Sequence, residues 1–256
     1  MTGAKLQLTA LPDIPMIEPG DDLAGVLIDG LRRADIVPRD RDVLVIAQKV
    51  VSKAEGRYVP LAGIVPSTRA QQLAAEVGKD ARMVELILSE STEVVRYRPG
   101  VLVVEHRLGF VMANAGIDQS NITHPDGQER ALLLPRNPDA SCAQLKARLD
   151  DAFGVDLGVV INDSFGRPWR NGVVGVALGA AGLPSLVNLI GQPDLYGRDM
   201  RVTEIALADE IAAAASLLMG QTDAGRPAIH LRGLAWQAPA CSASALLRPR
   251  QIDMFR

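Results

Sequence analysis

VVINDSFGRPWRNGVVGVALGAAG, residues 159–182, carries the pattern that sets the architecture. Three β-branched residues, Val159, Val160 and Ile161, run through Asn162 into Asp163 and Ser164. That is the signature of a buried strand closed by oxygen-bearing side chains. Gly166, Arg167, Arg170 and Gly172 spell a glycine-flanked basic hairpin, and residues 173–180 read as a second extended, tightly packed segment. An apolar strand ending in Asp-Ser offers hard oxygen ligands to Mg²⁺ or Mn²⁺. Arginines beside it suit the phosphates or carboxylates that such an ion organises. The first expectation is therefore an enzyme with metal–phosphate chemistry.

Upstream, residues 5–11 read as a short strand, and Asp21 and Asp22 as N-caps of a helix reaching about Ala34. DVLVIA, residues 42–47, is a near-continuous apolar run, the pattern of a strand buried on both faces. It leads into QKVVSKAEGR, residues 48–57. Helical spacing follows at about 67–77 and 80–90, and strands at about 93–97, 101–105 and 109–113. A polar, proline-containing stretch separates these from a helix at about 140–153 and a strand at 155–162. Thr203 is expected to open an alanine-rich helix ending near Met219, with a strand at 228–232. Strands outnumber strand–helix–strand units, so a mixed α+β architecture with flanking helices is expected, not a Rossmann or P-loop fold. One domain over 1–256 is expected, its weakest seam near 121–139.

The chain has 256 residues, 48% of them hydrophobic but only 4% aromatic, so its core must be built of Ala, Val, Leu and Ile. A net charge of −3 and the lack of a long basic run argue against general nucleic-acid binding. Cys142 and Cys241 sit in no metal-ligand spacing and read as free thiols of a reducing compartment. The N-terminal MTGAKLQLTALPDIP has no signal-peptide pattern, and no apolar run is long enough to span a membrane, so a cytoplasmic protein is expected.

Three further constellations carry chemistry. In NAGIDQSN, residues 114–121, Asn114 and Gly116 permit a sharp turn, and Asp118 and Asn121 then offer oxygens at a loop tip. Alone this is equally a solvated turn. With Asp163 and Ser164 it becomes an oxygen-rich shell for Mg²⁺ or Mn²⁺ and nucleotide phosphates. In QKVVSKAEGR, Lys49 and Lys53 lie near a strand end beside Gln48, Ser52 and Arg57, placed to meet phosphate as point charges; a solvated charged loop is the plainer reading. In MGQTDAGRP, residues 219–227, Gly220 reads as a helix C-cap, and Gln221 has an amide oxygen for a metal or nucleotide. Walker A, G-x-G-x-x-G and G-x-S-x-G are absent, and GVALGAAG reads as tight packing. His106, His124 and His230 are isolated, which speaks against a histidine zinc site.

Taken together and in this order, QKVVSKAEGR, NAGIDQSN, NDSFGRPWRNGVVGVALGAAG and MGQTDAGRP resemble the coenzyme F420-0:γ-glutamyl ligase family, as does the proline-rich opening with PGDDL. The resemblance covers about residues 8–233 and implies that family's fold. It also implies a GTP-dependent ligase joining L-glutamate to the carboxylate of coenzyme F420-0, and then to the growing γ-linked tail, through an acyl phosphate. Asp118, Asp163 and Lys53 are the implied catalytic groups. One divalent metal, Mg²⁺ or Mn²⁺, would sit at Asp118 and Asp163, and a second at Ser164 and Gln221. K⁺ is a further implied ion.

Implied nucleotide contacts are Pro12, Asp13, Ile14, Pro15, Gln48, Lys49, Lys53, Asn121, Met219, Gly220, Gln221, Thr222, Asp223, Ala224, Gly225 and Arg226. Gln48 departs from the family, which often has Ser there, and Ser164 stands where Thr is common. Some relatives carry a C-terminal flavin domain; the chain ends at Arg256, so no FMN is expected. A homodimer is implied. Arg167 and Arg170 are candidates from their chemistry for the coenzyme phosphodiester or a glutamate carboxylate. A related amide ligase with another acceptor, a metal-dependent phosphohydrolase and a GTP-binding sensor remain as alternatives.

Overall fold

The computed structural model describes residues 4–124 and 127–255. Residues 1–3 of the N-terminal pattern, and Pro125 and Asp126 within the expected seam, lie outside the described residues. In chain order the elements are β1 (Gln7–Ala10), α1 (Leu23–Arg33), β2 (Val43–Ala47), α2 (Gln48–Ala54), β3 (Tyr58–Pro60), α3 (Thr68–Val77), α4 (Ala81–Ser89), β4 (Ser91–Arg98), β5 (Val101–His106), β6 (Val111–Ala113), β7 (Arg130–Leu132), α5 (Pro138–Phe153), β8 (Gly158–Arg167), β9 (Arg170–Ala181), β10 (Val187–Asn188), β11 (Glu204–Ile205), α6 (Leu207–Met219) and β12 (Ala228–Arg232).

The central sheet has five strands in the order β1-β12-β2-β8-β9. β2 and β8 pair in parallel, whereas the β1–β12, β12–β2 and β8–β9 pairs are antiparallel. The architecture is thus mixed α+β. The strict alternation of a strand sorts β2 between two cores. Leu44 and Ile46 join α1, α2 and α5 on one face, while Val43 and Val45 join α6 on the other. All four are at most 1% exposed, and each such side chain contributes roughly 1.5–3 kcal/mol of burial. A third core packs α3 and α4 against Leu102 and Val104 of β5, in the sheet β4-β5-β6. Among the described residues, no helix is long and apolar enough to cross a membrane.

GVALGAAG is a packing device, as its spacing implied. A Cβ on Gly175 would lie 2.2 Å from Ser216 Oγ and 2.5 Å from the Ala212 carbonyl, so only glycine lets β9 approach α6. Gly179 similarly faces the Pro138 carbonyl at 2.4 Å, where α5 begins.

In four segments the structure departs from the expectations or decides between them. QKVVSKA is the helix α2, not a charged loop; it starts directly after β2 without a side-chain cap and buries Val51, Ser52 and Lys53. β8 does not stop at Asn162 but continues through Asp163 and Ser164 to Arg167, because β9 pairs with it over that whole length. Thr203 does not open α6: β11 intervenes, pairing with β10, and the helix begins at Leu207. The polar stretch also contains a strand, β7, which pairs with β3.

Candidate active site

Because β2 and β8 run parallel with Ala47 opposite Asn162, the residues that follow each emerge at the same sheet edge. Gln48 and Lys49 begin α2 there, and Asp163 and Ser164 continue β8. They border a cavity of about 650 Å³, within the range of small-molecule sites. Its other walls are residues 14–17, the loop around Asp118–Thr123, and the segment following α6.

Asp118 is delivered by an unusual turn. Asn114, Ala115 and Gly116 are consecutively left-handed, with φ of 53°, 53° and 65°. This conformation costs a residue such as alanine roughly 1–2 kcal/mol, strain of the kind that persists where surrounding structure fixes it. The fixing contact is visible: Asp118 and Leu132 of β7 exchange backbone hydrogen bonds of 2.9 Å each. The Asp118 carboxylate then accepts from Gln48 Nε2 at 2.7 Å and faces Lys49 Nζ at 3.2 Å. Lys49 also donates to the Ser120 carbonyl at 3.1 Å.

Asp163 is sunk in the cavity floor, although the residue keeps some solvent contact. Burial and the charge of Asp118 push its pKa up to about 7, against a bond from the Ser164 amide and the charge of Lys49. On the opposite face of β8, Ser164 Oγ donates to Gln221 Oε1 at 3.0 Å. Gly220, with φ +72°, caps α6 and turns Gln221 towards this contact. Asn121 Nδ2 donates to the Thr222 carbonyl at 3.0 Å, tying together the two loops that face each other across the cavity. Lys53 is 6% exposed, yet among the described residues no ion pair or hydrogen bond reaches its ammonium. Burial, then the charge of Lys49, lower its pKa, with Glu18 opposing weakly.

Most of the sequence-derived candidates therefore converge. Ile14, Pro15, Gln48, Lys49, Lys53, Asn121, Asp118, Asp163, Ser164 and the run Met219 to Arg226 all line the cavity. Pro12 and Asp13 do not; their carbonyls instead accept from Arg33 of α1, at 3.5 and 3.1 Å. Arg167 and Arg170 are also absent from the lining, standing where the β8–β9 hairpin turns, beside Trp169, whose ring packs at a tilt of 55° against Phe255, centroids 4.9 Å apart. Sequence reasoning missed Asn162, Ser120, Ile122 and Thr123 on the wall, and the bonded role of Ser52 behind it. Asn162 donates to Ser216 Oγ at 3.0 Å and to Met219 Sδ at 3.2 Å, anchoring the end of α6. The signal for Ser52 was its i+4 spacing from Gln48, which has meaning only once the segment is a helix.

Among the described residues, no group of three or more His, Cys, Asp or Glu is placed to hold a metal. A divalent ion here would be held by two carboxylates and neutral oxygens. That donor set fits a hard ion that keeps several waters, as Mg²⁺ does. A cation between Asp118 and Asp163 would relieve the repulsion by which the charge of Asp118, together with burial, raises the Asp163 carboxyl.

A sequence profile of the F420-0:gamma-glutamyl ligase family matches residues 13–233 of the chain. The coenzyme F420:L-glutamate ligase of Methanothermobacter thermautotrophicus is 45% identical over 253 residues, covering 98% of this chain and 99% of that protein. The enzyme of the same description from Methanopyrus kandleri is 44% identical over 256 residues, with 98% of each chain covered. That of Archaeoglobus fulgidus is 43% identical over 253 residues, covering 98% of this chain and 97% of the relative.

Proposed function

The chain belongs to the F420-0:gamma-glutamyl ligase family, and on that premise we propose that it joins L-glutamate to coenzyme F420-0, and then extends the γ-linked tail, at the expense of GTP. The observation that carries this reading is the charge layout of the cavity: two converging carboxylates, Asp118 and Asp163, and a buried lysine, Lys53, which forms no ion pair among the described residues. A triphosphate with its cation satisfies both at once.

In the proposed reaction, an oxygen of the acceptor carboxylate bonds to the γ-phosphorus of GTP as GDP leaves. The glutamate amine then attacks the acyl carbon, expels phosphate and loses its proton to solvent. Phosphoryl transfer between anions asks the protein for positioning and charge neutralisation, not for a covalent nucleophile. Lys53, Lys49 and Arg226 are the proposed phosphate partners, and the backbone of the loop after α6 lies alongside. Divalent ions at Asp118 with Asp163, and at Ser164 with Gln221, would neutralise phosphate charge. Among the described residues, the wall has no aromatic side chain, so the purine would rest on Ile14, Pro15 and Ile122.

The same proposal includes a cytoplasmic homodimer working as one domain per chain. The arm from β10 to β11 supports the dimer, since it leaves Leu195, Tyr196 and Val202 at least 84% exposed. Such a patch is one that a second copy would cover. Light scattering would return a monomer mass if this is wrong.

Mass spectrometry of reactions with F420-0, L-glutamate, GTP and Mn²⁺ tests the function. Products heavier by glutamyl units, with GDP formed only in the complete mixture, are expected. GDP without glutamylation would point to another acceptor or to phosphohydrolysis, and GTP binding without turnover to a sensor.

A further inference from the structure

Gln48 is 3% exposed and Ser52 is fully buried, so neither side chain can leave a polar atom without a partner cheaply. They lie four residues apart on α2 and share one face of it. Ser52 Oγ donates to Gln48 Oε1 at 3.0 Å, and Gln48 Nε2 donates to Asp118 Oδ2 at 2.7 Å. An amide has one donor end and one acceptor end. With its oxygen held by Ser52, the Gln48 amide can turn only its N–H groups towards the carboxylate. The oxygen and one N–H are thereby committed inside the protein, which leaves this side chain a single N–H to offer a nucleotide.

Lys49 contacts the other oxygen of the same carboxylate, Oδ1, at 3.2 Å. Its situation differs from that of Gln48. It is 23% exposed, and Ser120 gives it an alternative seat, with the carbonyl at 3.1 Å and Oγ at 3.4 Å. A divalent ion approaching Oδ1 meets an ammonium that repels it but has somewhere else to go. The amide on Oδ2 repels nothing.

We propose that Ser52 and Gln48 form a buried positioning relay that holds Asp118 with Oδ1 turned to the cavity, and that Lys49 is an exchangeable counter-ion displaced from Asp118 when a divalent cation binds. This deepens the metal-assisted ligase reading and rests on it. Gln48 is then a positioning residue, not a catalytic one, and Ser52 acts through it. The consequence is a pair of effects of opposite sign from two adjacent residues, which loss of packing alone would not produce.

The test is Mn²⁺ binding to the full chain without nucleotide, read from the electron paramagnetic resonance signal of free Mn²⁺, with thermal melting to verify folding. Ser52→Ala and Gln48→Ser should each weaken Mn²⁺ by about 10-fold or more, as for other residues that orient metal ligands. Ser52→Thr, which keeps the hydroxyl, should bind like the native protein. Lys49→Gln should tighten Mn²⁺ by about 5- to 30-fold, the upper figure being the effect of removing a unit charge about 4 Å from a divalent ion in water and the lower that left after salt screening. Should Ser52→Ala not fold, Gln48→Ser and Lys49→Gln still carry the opposite signs. Native binding with Gln48→Ser and Ser52→Ala unchanged would overturn the relay, and a Lys49→Gln variant that binds no tighter would overturn the counter-ion role. A native protein without saturable Mn²⁺ binding would overturn the metal reading beneath it.

Discussion

Replacing Lys53 with methionine should make the protein more stable and less able to bind GTP, because the same unpaired charge governs both. The side chain is 6% exposed, and burial and Lys49 lower its pKa from the ordinary 10.5. A lysine whose folded pKa is depressed costs the folded state wherever it is charged. That cost is present in full at neutral pH and lessens only as pH climbs through the folded value towards 10.5. Burying an ion without a partner costs several kcal/mol, but Lys53 lines an open cavity, so about 1–2 kcal/mol is the recoverable part. At ~2–4 °C per kcal/mol for a chain of this size, Lys53→Met should melt about 2–8 °C higher. Losing a charge-assisted contact to phosphate should cost roughly 1.5–3 kcal/mol of affinity. That corresponds to about 10- to 150-fold weaker GTP binding. Scanning fluorimetry and calorimetric titration with Mn²⁺ present measure the two effects on one preparation. A melting temperature that falls, or a GTP affinity that does not change, refutes the argument that Lys53 is held uncompensated for an anion.

Asp163→Asn should abolish glutamylation while the protein stays folded. In metal-free protein the carboxyl is raised from 3.8 to about 7, so the folded state keeps a proton the unfolded chain has lost, and stability falls as pH rises through that window. The variant, neutral throughout, should match the native protein at pH 3.8 and outlast it near pH 7 in chemical denaturation. Asp42 sits at the far end of β2, 3% exposed, accepting from Arg232 Nη2 at 2.6 Å and bonded to His230 Nε2 at 2.8 Å. Asp42→Asn should cost about 3 kcal/mol, measured by urea titration. Burial would raise the Asp42 carboxyl, but bonds from Arg232 and His230 outweigh it and hold it below 3.8, while burial depresses His230 below 6.5 despite Asp42. Both groups then make the unfolded chain the better proton acceptor, so stability should fall as pH drops below 6.5, and His230→Gln should remove the upper part of that loss. Gly175→Ala would drive a methyl into Ser216 Oγ and the Ala212 carbonyl; prying α6 from β9 should cost about 1–3 kcal/mol and weaken GTP binding through the displaced Met219–Gln221 segment, as melting and titration would show.

The elements legible from sequence were those whose side chains announce their surroundings. Val43 to Ile46 are an apolar run, and Ala228, Ile229 and Leu231 mark the neighbouring strand, because both faces of the central sheet are covered. The polar half of β8 was not legible. Its pairing is made by backbone groups of β9, and Asn162, Asp163 and Ser164 serve the cavity while only Phe165 beyond them packs on a core. β7 escaped notice because three residues in a polar stretch have no period, although they fix Asp118. α2 was not legible as a helix for a related reason. It has no capping side chain, and its charged residues face a cavity that sequence cannot display. At the site, Asp118, Asp163, Ser164 and Gln221 were recoverable as oxygen donors at the ends of segments. Ser52 was not, since its meaning lies in a bond to Gln48 that only helical spacing creates.

The position of the cavity follows from a mismatch in strand length. β2 ends at Ala47, opposite Asn162, whereas β8 runs five residues further with β9 alone as its partner. Beyond Asn162 the side of β8 that β2 would have covered is open, and the start of α2, the Asp118 loop and the segment after α6 close around it. Alternation along the protruding strand then divides the donors. Asp163 faces Asp118 and Lys49, while Ser164 faces Gln221 on the α6 side. A slip of one residue in the β2–β8 register would exchange those faces and also invert the apolar pattern of Val159, Val160 and Ile161, now divided between two cores. The hydrophobic core therefore enforces the arrangement of the oxygen donors, and a variant cannot shift that register without losing both.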